Sequence, residues 1–317
     1  MAIQHIQNEY HIPRARLLFN PFDASGNLTG EQPFGNCPTF NISTETQKSD
    51  HYSSESGLRV KDASVTVEVN RTANITCDNI SPENLARFLS GSLETITQSA
   101  GSKTETLTAR AGRHYQLGAT ASNPAGVRNI SALTVEIAAD AWEDETDYAV
   151  GAVVKPTTGT DLHAYRCITA GKSGISEPTW PVNGSTVTDG TATWEDIGEV
   201  ALTSSVIASD LQAGRLQTLA TFPADPVPLT ISYTTPAVSW QRIKTGTQTA
   251  LSGALRAIAD NASGSNRDYY MPRVNLSPNG ELPIITSETD FISVSFSAEI
   301  LSSANQEAIY VDGRPLA

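Results

Sequence analysis

Charge is thin in this chain, and helical periodicity is scarce. Asp, Glu, Lys and Arg make up only 17% of its 317 residues, while Thr, Ser, Asn and Gly abound. That balance excludes a charge-laced helical protein and suits strands joined by many turns. No apolar run is long enough to cross a membrane as a helix. The N-terminal stretch MAIQHIQNEYHIPRARLLFN lacks the apolar core of a secretory signal. Cysteine is sparse too: Cys37, Cys77 and Cys167 lie far apart, with no C-x-x-C pair for zinc or redox work. Cys77 falls in phase with apolar strand positions and is expected to be a small core residue. A reducing cytosol, or release by lysis, is the expected setting.

Catalytic spacing is missing as well. The five histidines, His5, His11, His51, His114 and His163, show neither H-x3-H nor H-E-x-x-H spacing. No G-x-S-x-G elbow and no phosphate-cradling glycine loop occurs. The carboxylates at Glu143/Asp144/Glu145 and Glu195/Asp196 read as solvated acids rather than a glycosidase pair. The chain is therefore read as a non-enzyme that needs no cofactor and no metal. Basic surplus is absent: 21 Lys and Arg against 34 Asp and Glu give a net charge of −13. Phosphate-backbone binding needs a basic face, so sequence-independent affinity for DNA is not expected. Repulsion from DNA would suit a conduit.

What is present begins with Asn20–Arg59. A turn-rich start (Asp23, Ser25, Gly26, Asn27, Gly30) leads to a hairpin signal at Phe34-Gly35-Asn36 and an extended run, Thr39–Ser43. Thr44–Gly57 then carries almost no apolar side chain and cannot bury itself. A loop of that length is usually functional or disordered. With strand-like sequence on both sides, it is read as a hairpin arm ordered by a neighbouring subunit. The candidate contacts are Thr44, Glu45, Lys48, Asp50, His51, Ser54, Glu55 and Arg59.

Next, Val65-Thr-Val-Glu-Val69 alternates, and the phase continues through Ala73, Ile75 and Cys77, predicting one long half-buried strand. A short helix follows, with Ser81 as N-cap, Pro82 at its first turn, and Gly91 past its end. Leu85, Phe88 and Leu89 form its apolar stripe. Strands are expected at Thr104–Ala109, His114–Gly118 and Ile130–Ile137.

Segment 141–199 holds Trp142, Trp180 and Trp194 with Tyr148 and Tyr165, and reads as an inserted small β module. It resembles the Trp/Tyr-rich modules of carbohydrate-binding proteins, also found as additions to phage structural proteins. In so small a unit Trp142 and Trp194 are natural core filling. Trp180, between Pro178 and Pro181, is the candidate for stacking on a glycan, with Tyr165 and Tyr148 beside it. The strand pattern resumes at Leu229, Ile231 and Tyr233. Leu251–Asp260 is ambiguous between helix and strand. Asn279-Gly280 signals a hairpin turn, and Ile292, Val294, Phe296, Ala298 and Ile300 share one face of a closing strand.

Two stretches carry a resemblance to the major tail tube proteins of long-tailed bacteriophages. The first is Pro21, Asp23, Gly26, Thr29, Gly30, then Gly35-Asn36 and Phe40, then Asp50-His51, Ser53-Ser54 and Gly57-Leu58-Arg59. The second runs from Ala254-Leu255-Arg256 through Ile258–Asn261, Gly264, Asn266–Tyr270 and Pro272-Arg273-Val274 to Leu276–Pro278 and Gly280–Leu282. It closes on Phe291, Ser295-Phe296 and Glu299–Leu301. The likeness covers most of 10–140 and about 200–305.

It implies a tail-tube β-sandwich or half-barrel with one flanking helix, divided as 1–140 and 200–317 around the inserted module 141–199. It also implies homohexameric rings stacked into a tube, with a tape measure inside and tail terminator and distal tail or baseplate proteins at the ends. DNA passes through the lumen without specific binding. The protein is then a virion tail component assembled in the host bacterial cytoplasm, with no membrane insertion. The arm, with the N-terminal tail to His11, would bridge successive rings. The basic residues Arg59, Lys61, Arg71, Arg110, Arg113, Arg267 and Arg273 would meet acids of the next subunit. The other reading is a carbohydrate-binding or adhesin protein acting on a cell-surface glycan through 141–199.

Overall fold

A computed structural model describes residues 9–55, 57–159, 162–246, 251–303 and 305–315. The fold is mainly β, and Pro82–Phe88 is the one helix among the described residues. The chain divides into two compact units, 1–95 with 241–317, and 96–240. It leaves the first along Gly91–Gln98 and returns along Val238–Thr245, which pair as a two-stranded ribbon. The boundaries drawn from sequence at 141 and 199 therefore fall inside the second unit.

The first unit is one antiparallel sheet built from both ends of the chain. Its strand order is Gln32–Pro33, Ala15–Pro21, Leu251–Ala259, Arg267–Asn279, Val294–Ile300, Val60–Cys77 and Thr39–Ser53. Tyr310–Gly313 pairs separately with Arg267–Asn279. Alternation explains the buried face: Val294, Phe296, Ala298 and Ile300 turn inward, as do Ala73, Ile75 and Cys77 opposite them. Leu251–Ala259, ambiguous in sequence, is a strand. Gly253 is needed there because a Cβ would sit 2.3 Å from the Asn20 carbonyl oxygen and against the Phe19 ring.

The helix begins as expected: Ser81 Oγ accepts the Asn84 N–H at 3.2 Å, with Pro82 in the first turn. Three details differ. The left-handed residue past the helix is Ser90 (φ 50°), not Gly91. Gly91 instead opens the next strand, where a Cβ would meet the Lys244 carbonyl at 2.8 Å. The helix also buries Asn84, Ala86 and Arg87 rather than a Leu85/Phe88/Leu89 stripe, and Leu89 is exposed. The reason is a polar anchor. Asn84 Nδ2 donates to the Phe34 and Asn79 carbonyls at 2.7 and 2.8 Å. Arg87 donates to Asn84 Oδ1 and Gln32 Oε1, and its guanidinium lies over the Phe34 ring at 4.9 Å. Phe88 still packs edge-on against Phe296.

Cys77 is buried as expected but is not a free core thiol: it is disulfide-bonded to Cys37, while Cys167 stays free and buried. The pairing was hidden because forty positions separate the two cysteines in sequence. The ladder that starts at Thr39↔Thr76 brings them together.

In the second unit, Gly101–Ala109, Val227–Thr235 and Ser131–Ile137 form one three-stranded sheet. Ile207–Asp210, Arg215–Thr218 and His114–Gln116 form another. Their shared core includes Leu117, Leu216, Leu229 and Ile231, and also Val153 and Ala164 from segment 141–199. Those two residues explain why the unit is wider than the segment. A five-stranded sheet, in the order Thr186–Asp189, Ala192–Glu199, His163–Thr169, Val153–Lys155 and Asp140–Ala141, covers a second, aromatic core.

Candidate functional site

The arm expected from sequence is a hairpin in the structure, and it is longer than the polar stretch alone. Thr39–Ser53 pairs with Val60–Cys77 in a continuous antiparallel ladder from Thr39↔Thr76 to Ser53↔Val60. Only its base joins the core, at Phe40, Ile42, Ala73 and Ile75. From Thr44↔Arg71 outward every strand residue except Arg71 and Ser53 is exposed, over ten ladder positions on the first strand. At about 3.3 Å per residue this is roughly 33 Å of double strand without a second layer.

Val65, Val67 and Val69, expected to be half-buried, are 62%, 61% and 42% exposed. Alternation predicted the strand correctly, but it cannot reveal how far its apolar face stays exposed. Leu58 and Val60 add further exposed apolar surface near the tip.

Each sequence-proposed arm residue has a place. Thr44, Glu45 and Lys48 are exposed on the first strand. Asp50 accepts from Lys61 Nζ and Ser64 Oγ, both at 2.7 Å, and the Lys61 bond, then Ser64, holds its carboxyl below the usual range. His51 Nδ1 lies 2.6 Å from Asp62 Oδ1. Ser54, Glu55 and Arg59 belong to the exposed turn, with the Arg59 guanidinium 4.5 Å over the Tyr52 ring. Ser56 and residues 1–8 of the N-terminal tail lie outside the described residues. Lys61 and Arg267, expected to reach a neighbouring subunit, have acids within their own chain: Lys61 has Asp50, and Arg267 meets Glu9 at 2.7 Å.

Residues 16–166 are similar to a family described as "Protein of unknown function UCP028589". The similarity takes in the whole arm, the helix and the first part of the second unit. No curated protein matches the chain.

The aromatic set of 141–199 is arranged differently from expectation. Trp142 and Trp194 are buried, as read from sequence. Tyr165, proposed to stack on a glycan, is fully buried. Its Oη donates to the Pro181 carbonyl at 2.8 Å, and burial, then Asp196, pushes its pKa up to about 12. No ring face is left for a sugar. Trp180 is half-buried, its ring 4.2 Å from Tyr165, and its Nε1 donates to Glu177 at 2.9 Å. Tyr148, also half-buried, packs edge-on against Trp194 and accepts the Glu143 N–H.

Sequence reading missed the residue that organises this core. Asp189 is 4% exposed. Its Oδ2 accepts both indole N–H groups, from Trp142 at 2.8 Å and Trp194 at 3.3 Å, and its Oδ1 accepts the Gly174 N–H at 2.7 Å. Gly190 (φ 60°) beside it makes the hairpin turn, where a Cβ would strike the Lys172 carbonyl. The Asp-Gly pair in V-T-D-G-T-A-T-W signals the turn but not the carboxylate's role.

A cavity of about 470 Å³ lies at the base of this segment, lined by Arg166, Glu195, Asp196 and Asp225 among others. Asp196 is already committed to His163 Nδ1 and to the Gly184 and Gly198 N–H groups, and Asp225 to Arg166. Among the described residues no cluster of His, Cys, Asp and Glu is placed to hold a metal.

Proposed function

We propose that this chain is a structural virion protein, a major subunit of a long-tailed bacteriophage tail tube. On this reading it assembles as stacked hexameric rings that conduct DNA during ejection. The observation that carries the proposal is the arm. A two-stranded ribbon is marginal alone in water, and this one displays a row of three valines that are 42–62% exposed. A neighbouring copy is the natural cover.

Further support comes from the edge-strand problem: an open sheet with exposed edges invites pairing with other copies, which ring closure satisfies. The net charge of −13 suits a bore that must not retain phosphate backbones. The Cys37–Cys77 bond fits a particle that works outside the reducing cytosol. Tape-measure, terminator and baseplate proteins would be its other partners. The glycan-binding alternative is weakened, since Tyr165 is buried and both Tyr148 and Trp180 are half-buried and packed against the same aromatic core.

The test is negative-stain electron microscopy of purified protein at rising concentration. Hollow rings or filaments are the expected outcome. Solid aggregates, or discrete small oligomers that bind glycans, would overturn the reading.

A further inference from the structure

Outside the arm, the first unit carries a second exposed apolar feature in residues 280–293, which connect two adjacent strands. Leu282 is partly buried against the core, and the strands on either side are tied by the pair Asn279↔Ser295. Between these anchors Ile284 is 85%, Ile285 94% and Phe291 96% exposed. Large apolar side chains held so fully in water mark a contact surface. The same stretch contains Glu281, Glu288 and Asp290 and no Lys or Arg.

The unit also has a groove of complementary character. It has a volume of about 1430 Å³ and runs between Pro13–Leu17, Cys37–Ile42 and the Ala257–Tyr269 region. That exceeds an ordinary small-ligand site and has room for a peptide segment. Leu17, Phe40, Ile42, Ala257 and Tyr269 supply apolar lining, and Arg14, Arg16 and Arg267 supply positive charge. Arg267 is neutralised by Glu9, whereas neither Arg14 nor Arg16 meets a carboxylate among the described residues. In a chain of net charge −13 an uncompensated arginine pair over an apolar groove selects an acidic, apolar partner.

We infer that this groove receives residues 281–291 of a second copy. Ile284, Ile285 and Phe291 would enter the apolar lining, while Glu288 and Asp290 would face Arg14 and Arg16. No residue of 280–293 lines the groove of its own chain. The arm is the poorer fit, since residues 44–71 carry five acids and four bases and are nearly neutral. Segment and groove are different surfaces, so the contact is heterologous and propagates into rings or filaments. The inference rests on the assembly reading only in requiring that copies associate. Neither the lumen nor DNA enters it.

Two exposed double variants separate the halves: Ile285→Asp/Phe291→Asp disables the segment, and Arg14→Glu/Arg16→Glu disables the groove. Circular dichroism checks that both fold. In sedimentation velocity each alone should self-associate at least tenfold more weakly than the parent. Mixed one to one, they should associate more tightly than either does alone, because each mixed pair keeps one competent groove–segment contact. A variant that polymerises like the parent, or a mixture that stays monomeric, overturns the inference.

A synthetic peptide of residues 280–292 provides a test that does not depend on polymerisation. It should bind the segment-disabled protein, and bind the groove-disabled one at least tenfold more weakly. Equal binding overturns the inference. So does binding that appears only after residues 1–8 are deleted, which would assign the groove to the chain's own N-terminus. Hollow tubes with normal association in both variants would uphold the tube and reject this contact. Loss of association in each variant, from a parent that forms no hollow tube, would do the reverse.

Discussion

Asp189 shows how one side chain holds a small core together. Two indole N–H groups and one backbone N–H converge on a carboxylate that is almost wholly buried. Removing it strands three donors, and each buried orphan costs about 1–3 kcal/mol. Asp189→Ala should therefore destabilise the second unit by about 3 kcal/mol, read as an earlier tryptophan-fluorescence transition on heating. Asp189→Asn keeps an acceptor oxygen and should lose less. An unchanged melt for Asp189→Ala would reject this role. Tyr165 gives a pH test of the same core. Its folded pKa of about 12 lies above the ordinary value of 10.0. The stability it contributes is complete below pH 10 and is lost as pH rises from there through 12. Tyr165→Phe should accordingly remove one late step from the phenolate absorbance titration. A tyrosine profile identical to the parent's would refute that placement.

At the scale of elements, the arm and its base separate stability from assembly. Val67→Asp changes a side chain that is 61% exposed in the single chain, so thermal stability should shift by less than about 0.5 kcal/mol. Assembly, followed by light scattering, should be lost; polymerisation at the parent's rate would show that the valine row is not covered. Cys37→Ser acts the other way. The disulfide closes forty positions of chain, worth about 2–4 kcal/mol in loop entropy. The variant, or reduction of the parent, should melt earlier, and equal melting with and without reductant would contradict that contribution.

Much of this element structure was legible beforehand. Alternation marked Val294–Ile300 and Val65–Cys77 as strands, and Ser81-Pro82 marked the helix start, because capping and pleat are local rules. Three features were not legible, and for one reason. The Cys37–Cys77 pairing, the exposure of Val65–Val69 and the buried Asn84/Arg87 face all depend on what lies across the sheet. Local pattern is silent about that.

Over the whole molecule, the chain makes one unit from its two ends and a second from the stretch between them. Each has its own apolar cores: Phe34, Phe296 and Met271 with their neighbours in one, and Ile231, Leu216 and the Trp142/Trp194 cluster in the other. The segment 141–199, read from sequence as an inserted module, lies within the wider compact unit 96–240. The aromatic composition of 141–199 is conspicuous, whereas Gly101–Ala109 and Val227–Thr235 look like any other strands. Only their mutual register, from Ala109↔Val227 to Gly101↔Thr235, reveals that they belong with the inserted unit. An insertion whose ends leave and return through paired strands can be cut out without opening either core. Residues 96–240 alone should then fold, with a cooperative melt and the Trp142/Trp194 fluorescence of the parent. A chain with 96–240 replaced by a short Gly/Ser turn should keep the eight-stranded sheet and its Cys37–Cys77 bond. Calorimetry of the full chain should resolve two transitions, the upper or lower of which moves on reduction, because only the first unit holds the disulfide. If the excised 96–240 fragment is disordered by circular dichroism, the two units are one folding domain, and the aromatic segment depends on the sheet built from the chain ends.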